Sequence, residues 1–347
     1  MISLGIDPGY GNTKVALITA EEETRFVAIP SVVGVGETDV GLLSLGDLGR
    51  RRRATPDRVA FGGVTYLVGE GVARFARPVQ RMDFLRLSDG PELRALFYDA
   101  LYHVLGVDVP EPLALMVGLP VEVMADKAKA KETLRGLRGW MVGRHRCEVN
   151  EEAVALRIEE VRVMAQPAGA FFAWGLDGGG RWARPKADLK APVAVCDVGF
   201  NTLDLFAVQG GDVVARFTGG DTAGMRRAAE LLTNAVKAKH GVDLSLHEAD
   251  AFLRQRRPRL YTSEGEANLT PLVTQALDTA AAGVVTFVEQ RWGSGRQFAH
   301  LLFAGGGAEA LRDALLRQYP HGVVLPNPVA ANAVGLARYA ARVFGES

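Results

Sequence analysis

Apolar and polar positions along this chain follow two periods. Short apolar runs bounded by turn formers recur as ISLGI (residues 2–6), KVALIT (14–19), APVAVC (191–196) and LDLFAV (203–208), and each predicts a strand. Residues 92–105 instead place Leu93, Leu96, Phe97, Ala100 and Leu101 at helical spacing. Residues 269–292 do the same with Leu272, Val273, Ala276 and Leu277, so both segments read as core helices. The strand HLLFA (300–304) runs into Gly305, Gly306 and Gly307, after which Ala310, Leu311, Ala314 and Leu315 mark a helix. The segment GGDTAGMRRAAELLTNAVKAKHG (219–241) opens as a turn and becomes an amphipathic helix near Ala223. Strands interleaved with helices predict an α/β fold.

Two of the strand pairs share a local pattern. GIDPGYGNTKVALIT (5–19) and VCDVGFNTLDLFAV (195–208) each read apolar run, Asp, any residue, Gly, aromatic, small polar residues, apolar run. Strand character on both sides of the glycines predicts β-hairpins, whereas a P-loop or dinucleotide fingerprint places a helix after them. Gly9, Gly11 and Gly199 admit positive φ and let backbone N–H groups approach an anion. Thr13, Asn201 and Thr202 add short donors, and Lys14 adds a compact cation suited to a phosphate oxygen. Asp7 and Asp197 would be out of place beside phosphates unless a divalent cation lay between them; magnesium is commonly held by one or two carboxylates plus substrate phosphates. One such turn alone is an ordinary Asx-capped hairpin. Its repetition is what points to phosphate. Gly305 to Gly307 offer a flat backbone surface for a purine beside helix N–H groups, although a strand-to-helix turn that needs glycine for its geometry is spelled the same way.

Composition narrows the setting. A chain of 347 residues favours two domains. Its 40 basic and 40 acidic side chains balance, so no global field draws it to nucleic acid or anionic lipid. The runs GRRRRATPDR (49–58) and RQRRPRL (from Arg254) read as solvated loops. Cys147 and Cys196 supply neither a disulfide framework nor a metal cluster, and His240 and His247 read as surface residues. No basic-then-apolar leader opens the chain, and no apolar run approaches the ~18 residues of a membrane helix. A soluble, reducing, cytoplasmic setting is expected.

In chain order, a hairpin phosphate loop, a second one and a glycine-rich adenosine loop resemble the superfamily of actin, the DnaK-type chaperones and the sugar kinases. VMAQPAGAFFAWG (163–175) resembles its first connecting helix. NPVAANAVGLARYA (327–340) resembles the second, with Ala331, Ala333 and Gly335 as close-packing positions. The wording DVGFNTLDLF and PAGAFF is most similar to the short prokaryotic and archaeal actin-like proteins, the plasmid-segregating ParM type included. The chain carries neither the long substrate-binding extension of the chaperones nor the Cys-rich zinc segment of the shorter sugar kinases.

The resemblance implies two actin-like (ribonuclease H-like) α/β domains flanking a nucleotide cleft, each with a small inserted subdomain. Residues 1–165 plus 330–347 would form the first, with an insertion at about 27–88; residues 166–329 would form the second, with an insertion at about 225–275. The implied cofactors are Mg2+ and ATP, with GTP as the alternative. Asp7 and Asp197 would face the metal through water, Gly9, Tyr10, Gly11, Asn12 and Thr13 would cradle phosphates, and Lys14 would contact the β-phosphate. Gly199, Phe200, Asn201 and Thr202 would hold the γ-phosphate, and Asp204 would order that loop or a water. Gly220 would line the cleft, and Gly305, Gly306 and Gly307 would take the adenosine. Gln166 stands where the family orients the attacking water, so Gln166, Asp197 and Asp7 are the implied catalytic group; locally, Gln166 is equally a helix-start residue before Pro167. Tyr10 departs from the small Ser or Thr that senses the γ-phosphate in many relatives.

The activity implied is a nucleotide-hydrolysing cytomotive filament, an ATPase whose turnover times polymer disassembly, in plasmid or DNA segregation or cell shape. Its partner would be a second copy, head to tail, with a DNA-bound adaptor as a further one. No membrane contact and no direct nucleic-acid binding are expected. A small-molecule kinase on the same fold and a non-polymerising ATP-gated adaptor stand as alternatives.

Overall fold

The structure, a computed structural model, describes residues 1–36, 55–79, 90–109, 111–222, 224–255 and 258–345. The four arginines at 50–53 lie outside the described residues, as does part of the run from Arg254.

The chain begins with β1 (Ile2–Pro8), β2 (Asn12–Ile18), β3 (Thr24–Pro30), β4 (Val33–Val35), β5 (Asp57–Phe61) and β6 (Val64–Val68). Next come α1 (Val72–Phe75), α2 (Pro91–Leu105), β7 (Leu113–Leu119), α3 (Val121–Ala125), α4 (Lys127–Met141), β8 (Gly143–Val149) and β9 (Glu152–Ala165). These strands form one mixed sheet in the order β3-β2-β1-β7-β9-β8-β5-β6-β4. The strand β7 is covered on both faces and therefore reads as an unbroken apolar run, with every residue buried. The strand β8 instead alternates exposed and buried positions, as a strand with one open face must. Asp126 caps α4, accepting from the N–H groups of Ala128 and Lys129.

The helix α5 (Gln166–Gly175) leads to a second sheet, with β10 (Val193–Val198), β11 (Leu203–Gln209), β12 (Asp212–Val213) and β13 (Gly219–Asp221). Then follow α6 (Arg226–His240), α7 (Leu246–Leu253), the separate hairpin β14 (Arg259–Thr262) and β15 (Gly265–Asn268), and α8 (Thr270–Trp292). The chain ends with β16 (His300–Ala304), α9 (Gly306–Ala310), α10 (Arg312–Gln318), β17 (Gly322–Val324) and α11 (Ala331–Gly345). The path β12-β11-β10-β16-β17 repeats the connectivity of β3-β2-β1-β7-β9: an antiparallel meander of three strands, then two strands added in parallel.

Two elements differ from their sequence expectations. The helix expected near Ala223 starts as α6 at Arg226, because the N–H groups of Met225 and Arg226 donate to the carbonyls of Gly199 and Phe200 instead of continuing a helix backwards. The helix α8 is long and apolar enough, by length and composition, to cross a membrane. Its Val273, Ala276, Ala280, Val284 and Val288 pack into the second core, while Thr274, Gln275, Asp278, Glu289 and Gln290 face outward, the pattern of an amphipathic core helix.

What joins the two sheets is a pair of crossing helices. After leaving β9, α5 packs on β10, β11 and β16; after leaving β17, α11 packs on β1, β2 and β7. The two touch backbone to backbone. A β-carbon on Gly335 would stand 1.7 Å from the carbonyl oxygen of Gly169, and one on Gly169 would stand 2.3 Å from that of Asn332. On its other side α11 meets β1 as closely, where a β-carbon on Gly5 would come within 2.2 Å of the Ala333 carbonyl oxygen. Arg338 pins the crossing, donating from Nη1 to the carbonyls of Ala173 and Leu176.

Two glycine substitutions with opposite expected signs test this packing. Gly335→Ala is expected to destabilise by ~2 kcal/mol or more, because its methyl meets main chain that no rotamer change can move, outweighing the ~1 kcal/mol gain in helix propensity. Gly139→Ala in α4 meets no atom within 4 Å and should stabilise by ~0.5–1 kcal/mol. Urea midpoints of the two variants decide; a Gly335→Ala protein as stable as the parent would mean that the crossing has slack.

Candidate functional site

The two repeated hairpins are β1–β2 and β10–β11, and they match bond for bond. Gly9 N–H donates to the Asn12 carbonyl at 3.1 Å, and Gly199 N–H donates to the Thr202 carbonyl at 2.9 Å. In register, Asp7 faces Lys14 across the first and Asp197 faces Asp204 across the second. The turns meet: a β-carbon on Gly11 would lie 3.2 Å from the β-carbon of Phe200. Phe200 in turn lies parallel to the ring of His247, which stays exposed on the surface as expected. The strand β16 adds the third loop beside Asp197, since Asp197 and Ala304 are in register. Gly305 then turns with φ +85°, and a β-carbon there would collide with Asp197 Oδ1 at 2.4 Å. Only glycine fits.

The charges at this junction are buried and coupled. Asp7, Asp197 and Asp204 are 2%, 6% and 1% exposed. Lys14 Nζ lies 2.8 Å from Asp7 Oδ2. Burial pulls the Lys14 pKa down, but the Asp7 and Asp197 carboxylates together reverse this and leave it raised. Asp197 is pushed up to about 6 by burial and by Asp7, against the pull of Lys14 and of a 2.7 Å hydrogen bond from Asn332 Nδ2. Asp204 is pushed up to about 7 by burial and by Asp197, although it accepts from the Val121 N–H at 3.1 Å. Gly220 makes room for it: a β-carbon there would stand 2.9 Å from Asp204 Oδ1.

The other expected residues fall into two groups. Gln166, the first residue of α5, is 5% exposed and sends Nε2 to the Pro8 carbonyl at 3.3 Å, which places its amide at the first hairpin. Gly9, Tyr10, Gly11 and Asn12 form the first turn and Gly199 to Thr202 the second, all half-buried, while Gly306 and Gly307 open α9 directly after Gly305. Thr13 is different. Its hydroxyl is buried behind the turn, 3.1 Å from Ser31 Oγ. Ser31 Oγ donates to the Gly9 carbonyl at 2.6 Å, so its proton is committed and Thr13 must donate to it. The Asn201 side chain accepts from Arg226 Nη1 at 3.4 Å.

Three residues that the sequence reading passed over belong here. Ser31 buttresses the first turn from below through Oγ and through its N–H, which donates to the Gly11 carbonyl. Asn332, 4% exposed, holds Asp197 and leaves its own Oδ1 buried with no partner. Arg254, gripped by Asp250 at 2.9 and 3.1 Å, brings its guanidinium to Gly306, where a β-carbon would stand 2.8 Å from Nη1. Only Asn332 carried a signal, as a lone amide among small residues in NPVAANAVG.

Residues 5–169 match the actin-like proteins N-terminal domain, and residues 195–317 match the C-terminal domain of the archaeal actin homologue MreB-like family. The chain belongs to the actin-like proteins. No curated protein matches it in sequence. Solved structures match nearly end to end. A non-polymerisable quadruple mutant of pCBH ParM has 18% identity and a TM-score of 0.76, with 99% of each chain covered. A 15-stranded ParM filament from Clostridium botulinum has 20% identity and a TM-score of 0.75, covering 98% of this chain and 99% of that one. An archaeal actin homologue in complex with ADP has 18% identity and a TM-score of 0.72, with both chains fully covered. The architecture is therefore the two-domain actin-like α/β fold.

In this actin-like protein Asp204 makes the site pH-sensitive. Its carboxyl loses its proton near pH 4 in the unfolded chain but near pH 7 in the ligand-free fold. The folded state thus binds the extra proton, and stability falls as pH rises from about 4 through about 7, by on the order of a few kcal/mol. Asp204→Asn keeps an acceptor for Val121 and should flatten that slope. Denaturant midpoints at pH 5 and pH 8 measure it; equal slopes in parent and variant would clear Asp204 of the effect.

Proposed function

We propose that this protein binds Mg-ATP between its two sheets, hydrolyses it, and assembles head to tail into filaments whose lifetime hydrolysis sets. The observation that carries this reading is the pair of matched hairpins, which bring Asp7, Lys14 and Asp197 into one buried, electrostatically coupled cluster. Two carboxylates at the mouths of two glycine turns suit a hard divalent cation, and the turn N–H groups suit phosphate oxygens. The buried, unpaired Asn332 Oδ1 and the side-chain-free surface at Gly305 both fit a bound group that completes them. Similarity to an ADP complex and to a filament among the solved structures supports the same reading.

In this scheme the first domain is residues 1–165 plus 330–347 and the second is 166–329. Gly9 to Asn12 and Gly199 to Thr202 donate backbone N–H groups to phosphates, and Lys14 exchanges part of its bond to Asp7 for a phosphate oxygen. Magnesium, when bound, supplies the positive charge that phosphoryl transfer needs. Asp197, held by Asn332, and Asp7 are the residues that would hold the metal, through water. Gln166 positions the attacking water and excludes others. Gly305 to Gly307, with Arg254 behind them, bound the purine, and GTP is accepted if no side chain rejects its exocyclic groups. Thr13 acts from behind the turn, through Ser31, rather than on phosphate. The setting we assign is the cytoplasm, in keeping with two free, buried cysteines, and the role DNA or plasmid segregation, or cell shape.

Pelleting and light scattering with Mg-ATP, Mg-GTP, Mg-ADP and no nucleotide, with phosphate release followed in parallel, test the proposal. Polymer is expected only with triphosphate. Gln166→Ala should slow phosphate release by roughly 10²- to 10⁴-fold and lengthen polymer life, and Asp197→Ala should lose both activities. Hydrolysis without polymer at any concentration would point to a small-molecule kinase, and binding without turnover or polymer to an ATP-gated adaptor.

A further inference from the structure

We propose that Asp57, Asp99 and His103 form a binding site for one first-row divalent cation of the zinc class, on elements that carry no residue of the nucleotide cleft. Asp99 and His103 lie one turn apart on α2 and share a face, and β5 brings Asp57 to it. His103 Nε2 stands 2.8 Å from Asp57 Oδ2 and 3.5 Å from Asp99 Oδ1. One ligand atom from each residue lies within 4.8 Å of the other two.

Asp99 is what demands a ligand. It is wholly buried, yet neither of its oxygens has a hydrogen-bond partner within ordinary distance; the His103 ring stands 3.5 Å away, at ion-pair distance. Buried carboxylates are ordinarily satisfied by donors or by metal. The other two residues lead from it to solvent: Asp57 and His103 side chains are 29% and 35% exposed, leaving an open side for entry and for bound water.

The surroundings orient the ligands. Asn150 Nδ2 donates to Asp57 Oδ1 at 2.6 Å, which turns Oδ2 toward His103. Asn150 is itself fixed in a positive-φ turn, accepting from the Arg58 N–H at 3.0 Å and donating its own N–H to the Arg58 carbonyl at 2.8 Å. Outer donors of this kind accompany metal-bound carboxylates. One imidazole nitrogen with two carboxylate oxygens suits zinc, cobalt or nickel better than magnesium or calcium. Three protein ligands plus water is the arrangement of an open zinc site. Ligand atoms ~2.0–2.1 Å from such an ion sit ~3.3 Å apart, so the pair at 2.8 Å must part slightly, which rotation of the half-exposed His103 supplies. Zinc would replace the proton that the imidazole otherwise shares with the carboxylates, tying α2 to β5 and to the turn between β8 and β9.

The test uses the full chain in excess Mg2+, titrated with Zn2+ by calorimetry and with Co2+ by visible absorption. The parent should bind one equivalent of zinc more than His103→Gln or Asp57→Asn, each variant losing that site at least tenfold in affinity. Co2+ should give a d–d absorption band in the parent that both variants lose, and Zn2+ should raise the Tm of the parent alone by several degrees. Both substituted side chains are partly exposed, and circular dichroism confirms that the variants fold. If the variants bind zinc and cobalt as the parent does, or the parent binds neither, the cluster is a protonated histidine shared between two carboxylates and the proposal falls.

Discussion

The backbone contact between α5 and α11 is the constraint on which the rest of the molecule depends. Each helix starts from one sheet and lies on the other, so the crossing is the main joint between the two sheets. Gly169, Gly335 and Gly5 give it its closeness, because a β-carbon at any of them would overlap main chain. Two side chains of the candidate site are set at the starts of these same helices: Gln166 opens α5 and reaches the Pro8 carbonyl, and Asn332, in the first turn of α11, holds Asp197. Each helix, before crossing to the other sheet, thus holds a polar side chain against the hairpin of the sheet it starts from. Packing and site geometry are one problem here, solved by small residues.

The hairpins that face each other across this crossing share a frame but not a chemistry. Both close with a Gly-to-carbonyl turn bond and both place an Asp two residues before the glycine. Across the ladder, however, Asp7 meets Lys14 and Asp197 meets Asp204. The first hairpin is internally neutralised, with a 2.8 Å ion pair. In the second, burial and the Asp7 carboxylate push Asp197 up to about 6, and burial and Asp197 push Asp204 up to about 7. One half carries its own counter-charge and the other waits for one from outside.

Much of this was legible in the sequence because glycine and periodicity are local signals. Strand, glycine turn, strand could be read at residues 5–19 and 195–208 without any knowledge of how far apart they fold, and the resemblance of 327–340 to a connecting helix marked Ala331, Ala333 and Gly335 as close-packing positions. Contacts made by polar side chains across the chain were not legible. Ser31 is an unremarked serine after Pro30 until β3 carries it beneath Gly9, and Arg254 looked like one charge in a solvated run until Asp250 turned it toward Gly306. Thr13 was read as facing phosphate because strand alternation alone does not say which face of β2 is the core; Ser31 decides it. The cation cluster was hidden more thoroughly still. Asp57 belongs to the stretch GRRRRATPDR, where four arginines dominate any reading of charge, and its partners lie more than forty residues away on α2.

Formal neutrality likewise hid the electrostatics that matter. Forty acids against forty bases leave no long-range field, but screening confines exposed charges to about 10 Å, and burial lets a local excess persist. At the cleft three buried carboxylates stand against Lys14 and Arg254, with Glu122 adding to the acid side of Asp204. An anionic ligand entering such a place would be repelled on charge alone. It becomes favourable only if a cation enters with it and if the turn N–H groups, which carry no formal charge, take the phosphate oxygens. The glycines and the aspartates are therefore complementary rather than redundant. On the proposed function, the glycines would expose the donors for an anion, and the aspartates would let that anion bind only in company with a cation.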